Sequence, residues 1–215
     1  MPTEIVLRGG VHGEWFESKK QRTKKRIIRE VVGATHDAID HLDGRLALPS
    51  KVVLAFAGRE GYYPYASAIG RTIEVGPSGL DVTQGVEEAL RGLMGHELSH
   101  ISDVVTNNPA SFGTDPIARI VSEGKAEAVA VDVGGVYYEE VLCDVEALQF
   151  EEVEPLLAKS KPSSSEARFN ELGGIYNIGL TLVSEVMAYH ETDIYSIHSE
   201  GLDFYRQTLL EARNG

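Results

Sequence analysis

The segment DVTQGVEEALRGLMGHELSHISDVV, residues 81–105, predicts a long amphipathic helix that carries a rare pattern of polar residues. Asp81, with Gln84 three residues later, is a typical helix start, and the helix is expected to end near Val105. At 100° per residue, apolar side chains gather on one stripe and polar side chains on the opposite face, so one side is predicted to face the core. The stripe consists of Val86, Ala89, Leu90, Leu93, Met94, Ile101 and Val104, and the polar face of Gln84, Glu88, Arg91, Ser99 and Ser102.

Within this helix, His96-Glu97-Leu98-Ser99-His100 matches the pattern H-E-x-x-H, which a random chain of this composition would show with a probability of about 2%. Residues four apart lie about 6 Å from each other on one helical face, so both imidazoles can bind one cation. Glu97 is rotated about 100° from His96 and can reach a water molecule on that cation. It also falls near the middle of the apolar stripe, where an uncompensated carboxylate costs several kcal/mol. The pattern therefore favours two metal ligands and a base over a surface glutamate with two core histidines.

A tetrahedral zinc site needs a third protein ligand, and the following helix offers two candidates. This helix is predicted to begin at Asp115 and Pro116 and to end before Gly134. Its apolar stripe is bordered by Glu123 and Glu127, which are one turn apart and can lean toward a metal held by the facing helix. Two solvated glutamates are the alternative. The stripe consists of Ile117, Ile120, Val121, Gly124, Ala128 and Val131.

The histidine motif followed 22 residues later by Ser122-Glu123-Gly124-Lys125-Ala126-Glu127 resembles the gluzincin zinc peptidases, especially the predicted zinc-dependent proteases with H-E-x-x-H and E-G-x-A-E. The resemblance implies that Glu123 is the third zinc ligand and that Glu127 orients a ligand histidine. It extends to Tyr176-Asn-Ile-Gly179, similar to a Tyr-x-x-Gly helix of that group, and covers residues 66–190. Lys125 departs from the pattern, since an apolar or aromatic residue is usual there, so the packing of this helix is expected to differ.

Asp103 and Asp115 are weaker candidates for the third ligand, and the metzincin family fits the sequence less well than the gluzincins. Metzincins carry Gly and His three and six residues after the second histidine, where this chain has Asp103 and Thr106. Asp103 shares a helix with both histidines and would be badly aimed as a third ligand. Asp115 is better explained as a helix cap.

The expected activity is that of a zinc-dependent metallopeptidase acting on a peptide or protein substrate. Zinc (Zn2+) lowers the pKa of bound water toward ~7, and Glu97 takes its proton as the hydroxide attacks a carbonyl, then passes it to the leaving amine. The resemblance favours Tyr176 over His190 and His198 as the donor to the oxyanion. For each of these three residues, the alternative is a hydrogen-bonded side chain in a helical cap. There are two alternatives to this activity. One is a zinc hydrolase of non-peptide amides or esters, and the other is a noncatalytic interaction protein whose helices are held together by the ion.

Residues 1–215 are predicted to form one zincin-like domain with an α+β fold. The parts of this domain are a small N-terminal sheet with helices, a zincin-like active-site helix and a helical C-terminal part. Strands are expected at Thr3–Leu7, Val52–Ala57 and Ala66–Val75, the last broken at Gly70 and able to provide an edge strand for a substrate. Further helices are expected at Phe16–Leu42, with a stop at Gly44, and at Asp144–Leu157, Glu171–His190 and Ser199–Arg213. A flexible segment is expected at about 159–170.

Charge and composition exclude several other functions. The formal net charge is −13, although the stretch Lys19–Arg29 holds seven basic residues and no acid. A molecule this acidic is not expected to bind nucleic acid or an anionic membrane, and the basic stretch is either a solvated face or a docking face for an acidic partner or nucleic acid. The single cysteine, Cys143, excludes zinc sites built from several thiolates. Without a signal sequence or a long apolar run, the protein is expected to be cytoplasmic.

Overall fold

A computed structural model describes residues 3–8, 14–56, 65–67, 71–76, 87–106, 116–135 and 174–214 of the chain. These residues form a small sheet and a larger helical part. The strands are β1 (Glu4–Leu7), β2 (Lys51–Ala55), β3 (Tyr65–Ser67) and β4 (Thr72–Glu74), and the helices are α1 (Glu14–Glu17), α2 (Gln21–Leu42), α3 (Glu87–Val105), α4 (Pro116–Gly134), α5 (Gly174–Tyr189), α6 (Ile194–Ile197) and α7 (Leu202–Asn214). The fold fits the predicted α+β description, with helices in the majority.

The four strands form one mixed sheet in the order β1-β2-β4-β3. β1 pairs in parallel with β2, and β2 pairs in parallel with β4. β3 pairs antiparallel to β4, with Tyr65 opposite Glu74, and it lies at the edge of the sheet. The predicted edge strand is therefore present, and β3 also contacts α3.

The predicted helix at Phe16–Leu42 is wrong in one respect, because residues 18–20 separate α1 from α2. Phe16 on α1 is buried and stacks on Phe56 beyond β2, with ring centroids 4.8 Å apart. This contact holds α1 against the sheet rather than along the line of α2. The predicted stop at Gly44 is confirmed, since α2 ends at Leu42 and Gly44 has φ of 74°.

α3 lies between α2 and α4 and is buried on almost every side. The prediction of an exposed polar face is wrong for Ser99 and Ser102, which are both buried. A helical wheel could not show the burial of Ser99 and Ser102, because it arises when α4 and the segment around α6 cover the polar face of α3. Five of the polar residues of α3 are therefore in the interior, and these are His96, Glu97, Ser99, Ser102 and Asp103.

The helices that carry the predicted motifs cross at glycines. A Cβ on Gly134 of α4 would lie 2.7 Å from Gly92 Cα of α3, and a Cβ on Gly179 of α5 would lie 2.6 Å from Gly124 N of α4. Real Cβ atoms do not approach so closely, so only glycine permits these crossings. The backbones of α3, α4 and α5 are thereby brought close enough for short polar side chains to meet between them.

The other predicted elements agree with the structure where it describes them. The predicted apolar stripe of α4 is wrong at Val131, which is exposed rather than packed. The predicted helix start at Asp81, the cap at Asp115, the helix at Asp144–Leu157, the segment at about 159–170, the break at Gly70 and Cys143 lie outside the described residues. No helix among the described residues has both the length and the apolar content needed to cross a membrane.

Candidate metal centre

Three predicted ligand atoms converge where α3 faces α4. His96 Nε2 lies 3.1 Å from His100 Nε2, and Glu123 Oε2 lies 3.5 Å from the first nitrogen and 3.3 Å from the second. Among the described residues, this is the group of His, Cys, Asp and Glu side chains that could hold a metal ion. Since α3 provides the two histidines and α4 the glutamate, the packing of these two helices creates the site.

The other ring nitrogen of each histidine faces a group on α4. His96 Nδ1 lies 3.0 Å from Glu127 Oε1, and His100 Nδ1 lies 3.3 Å from Ser122 Oγ. Such contacts fix the rotation of an imidazole and the nitrogen that it offers to a metal. Glu127 lies beside His96 Nδ1, but its orienting role stays a prediction, and the contact of Ser122 was not predicted.

Glu97 is also buried beside the histidines, as the helical wheel predicted. It is 3% exposed, and among the described residues no group donates a hydrogen bond to its Oε2. Burial raises the pKa of the Glu97 carboxyl, while His96 and His100 act to lower it. A buried carboxyl with a raised pKa is suited to exchange a proton with a molecule bound in the site.

The electrostatics of the centre are dominated by its carboxylates. Burial alone would lower the pKa of His96, but the negative charges of Glu127, Glu123 and Glu97 raise it well above its usual value. Burial acts to raise the pKa of Glu123, but its contacts with His100 and His96 hold that pKa well below its usual range. Three acids thus surround two imidazoles, which favours the binding of a cation.

Tyr176 lies next to this group, on α5. The centroid of its ring is 6.1 Å from that of His96, with an angle of 49° between the ring planes. Burial, assisted by the charge of Glu123, raises the pKa of the Tyr176 hydroxyl well above its usual value, so the hydroxyl keeps its proton. The structure therefore brings together the six predicted residues, namely His96, Glu97, His100, Glu123, Glu127 and Tyr176.

The other two candidates for an oxyanion donor are engaged elsewhere. His190 lies 2.9 Å from Thr208 Oγ1 and stacks on Phe204. His198 is buried and lies 2.7 Å from Ser99 Oγ. Both contacts correspond to the structural alternative of a hydrogen-bonded side chain in a helical cap.

A second buried polar cluster, which the sequence analysis missed, joins α3, α4 and the end of α6. Lys125 Nζ donates to Asp103 Oδ1 at 2.7 Å and to the His198 carbonyl at 3.0 Å. Lys125 and Asp103 are both fully buried. The replacement of the usual apolar residue at position 125 was the one signal in the sequence that pointed to this cluster.

Comparisons of the chain with protein-family models, with curated proteins and with solved structures find no match.

Proposed function

We propose that the protein is a zinc-dependent metallopeptidase of the gluzincin type, in which His96, His100 and Glu123 hold the ion and Glu97 is the general base. The proposal rests on one observation, the convergence of these three ligand atoms beside a buried glutamate. The resemblance of the two motifs to gluzincins supports the same assignment.

The spacing of the ligand atoms supports zinc. Donor atoms about 2.0–2.1 Å from a zinc ion at the corners of a tetrahedron lie about 3.3–3.4 Å from one another. The three separations between His96 Nε2, His100 Nε2 and Glu123 Oε2 are 3.1, 3.5 and 3.3 Å. A tetrahedral ion therefore fits this triangle with almost no movement of the side chains. A zinc ion held by these three protein ligands would have a fourth coordination position for water or substrate, as in catalytic zinc sites.

When bound, zinc supplies a Lewis acid for the substrate carbonyl and a lowered pKa for a coordinated water molecule. Glu97, which is buried and interacts electrostatically with His96 and His100, would accept a proton from the attacking water at its carboxylate. It then donates the proton to the leaving amine, which completes the cleavage of an amide bond. Glu127 and Ser122 keep the two imidazoles turned so that both Nε2 atoms face the ion.

Two further elements suit a peptide substrate. The ring of Tyr176 lies 6.1 Å from that of His96, and its protonated hydroxyl is the group we assign as hydrogen-bond donor to the carbonyl oxygen as negative charge develops on it. Among the described strands β3 lies at an edge of the sheet, and it contacts α3, so it is the strand with which we expect an extended peptide to pair. This second element favours a peptide over a non-peptide amide or ester.

The burial of Glu97 favours an enzyme over an ion that only staples α3 to α4. A structural site requires the three ligands and the groups that orient them, but it gives no reason to bury a further carboxyl group, that of Glu97, beside them. Removing the carboxylate of Glu97 should therefore abolish activity if the protein is an enzyme, and should have no such effect if the ion is only structural.

The test is to compare wild-type protein with the variant Glu97→Gln on a mixture of unstructured peptides, with cleavage read by mass spectrometry. Wild-type protein should cleave peptides, should stop when a chelator is added and should recover with zinc. Glu97→Gln should lose about two to four orders of magnitude in rate while it keeps zinc and its fold. The matched control is Glu88→Gln, an exposed position on the same helix. Equal cleavage by wild type and Glu97→Gln, or an absence of cleavage by zinc-loaded wild type, contradicts the proposal.

A further inference from the structure

Lys125 is an unusual residue for the interior, because its ammonium is fully buried between helices. It reaches two acceptors, Asp103 Oδ1 on α3 and the backbone carbonyl of His198 that follows α6. His198 in turn contacts Ser99 of α3, with Nε2 2.7 Å from Oγ. The side chain of Lys125 therefore links three segments of the chain at one point.

This cluster contacts the same pair of helices as the candidate metal centre, but from another side. Residue 125 is rotated about 200° around α4 from residue 123, and residue 127 only about 40°. Glu123 and Glu127 contact α3 through His96 and His100, whereas Lys125 contacts it through Asp103. Rotating α4 on its axis would strain both groups of contacts together.

The glycine crossing and the hydrogen-bonded pair constrain α3 and α4 in different ways. Close backbone contacts between Gly92 and Gly134 fix how near the two helices approach, and the hydrophobic attraction around them is non-directional. A hydrogen-bonded ion pair has a narrow range of distance and angle, and breaking a buried one by removing one partner leaves an uncompensated buried charge. Since a buried pair adds little stability compared with apolar side chains of similar size, its directionality is the property that distinguishes it.

We propose that Lys125 is a positioning residue for the metal centre. Its ion pair with Asp103 and its hydrogen bond to the His198 carbonyl fix the rotation of α4 against α3, and this rotation holds Glu123 at the distance at which it shares an ion with His96 and His100. The inference rests on the metal site of the proposed function, but not on its catalytic activity.

The experiment measures zinc affinity, by competition with a chromophoric chelator, in folded wild-type protein and in the variant Lys125→Met. The visible absorption of bound Co2+ is measured in parallel, since it reports whether the coordination is tetrahedral. Zinc affinity should fall about 10- to 100-fold in Lys125→Met, as for other groups that orient metal ligands, and the tetrahedral Co2+ absorption should weaken. Asp103→Asn should act in the same direction, and the two changes together should cost less than the sum of their separate effects.

The matched control is Asp132→Asn, near the C-terminal end of the same helix. Asp132 Oδ2 accepts hydrogen bonds from Tyr195 at 2.6 Å and from Arg45 at 3.3 Å, and lies 2.7 Å from His41 Nε2. Its removal should lower the free energy of unfolding without changing zinc affinity or the Co2+ spectrum, because these contacts do not face the metal centre.

If Lys125→Met does not fold, the double change Lys125→Met and Asp103→Leu replaces the pair by apolar side chains, which commonly preserves stability. This variant should fold and still bind zinc more weakly than wild type. Wild-type zinc affinity and an unchanged Co2+ spectrum in either folded variant overturn the positioning role. If wild-type protein itself binds neither ion, the metal site of the proposed function is wrong as well, so the two failures are distinguishable.

Discussion

Gly124 of α4 and Gly179 of α5 touch backbone to backbone, and a Cβ on Gly124 would lie 2.7 Å from Gly179 Cα. Gly124 follows Glu123, and Gly179 is one turn after Tyr176. The contact therefore brings the tyrosine helix against the glutamate helix at the level of the candidate metal centre. It gives a physical reason for a glycine in each of the two motifs, which are 55 residues apart in the sequence.

Gly124→Ala should destabilise the protein, because its methyl group would overlap the backbone of α5. Inserting a methyl group into a closely packed interior typically costs about 1–3 kcal/mol, and here the neighbour is backbone that cannot change rotamer. Urea denaturation measures the change in the free energy of unfolding. Gly33→Ala is the matched control, since no atom lies within 4 Å of its Cβ position on the exposed side of α2. Gly33→Ala should stabilise the helix by about 0.5–1 kcal/mol, and a similar gain at Gly124 would show that α4 and α5 do not touch there.

Glu123 and Glu127 differ in their relation to the histidines, and this difference predicts an order of effects on zinc binding. Glu123 faces the two Nε2 atoms and would bind the ion directly, whereas Glu127 faces only His96 Nδ1. Glu127→Gln should weaken zinc binding about 10- to 100-fold, the usual loss for a group that orients a ligand. Glu123→Gln should weaken it further because it removes a charged ligand. Competition with a chelator measures the zinc affinity of both variants. A larger loss in Glu127→Gln than in Glu123→Gln would mean that Glu127 is the ligand and Glu123 the orienting group.

Part of this arrangement could be predicted from the sequence because it depends on local spacing. His96, Glu97 and His100 share less than two turns of one helix, so their relative positions follow from helical geometry alone. Glu123 is on another helix, and its approach to the histidines depends on how α3 and α4 pack. The spacing of the helix made Glu123 and Glu127 candidates, and only the likeness between motifs chose Glu123 as the ligand.

The remaining features could not be predicted because they arise from tertiary contacts. Lys125 and Asp103 are 22 residues apart, and each is a typical surface residue by type. Their burial follows only once α6 and the segment after it cover the side of α3 that carries Ser99. For the same reason, the wheel placed Ser99 and Ser102 on an exposed face, although the structure buries both.

His198 predicts that the protein loses stability as the solution becomes mildly acidic. Burial lowers the pKa of His198 to about 4 and the charge of Lys125 acts in the same direction, against the opposing charge of Asp103. The unfolded chain, with a histidine pKa of about 6.5, binds more protons than the folded protein between these two values. The contribution of neutral His198 to the free energy of unfolding is therefore fully present above about pH 6.5 and is lost as pH falls toward 4. This contribution is at most about 3 kcal/mol.

This dependence can be measured by urea denaturation at several pH values across that window, in wild type and in His198→Gln. The wild type should lose more stability on acidification than the variant, because the variant has no imidazole to protonate. Parallel curves for the two proteins would mean that His198 is not kept neutral by the fold.

The central claim is that His96, His100 and Glu123 bind one zinc ion, and the most direct measurement is the zinc content of the protein by elemental analysis. The protein is purified without chelators, incubated with zinc and freed of unbound ions. We expect about one zinc per chain, because the three ligand atoms form a single site. A zinc content indistinguishable from that of the buffer would contradict the account.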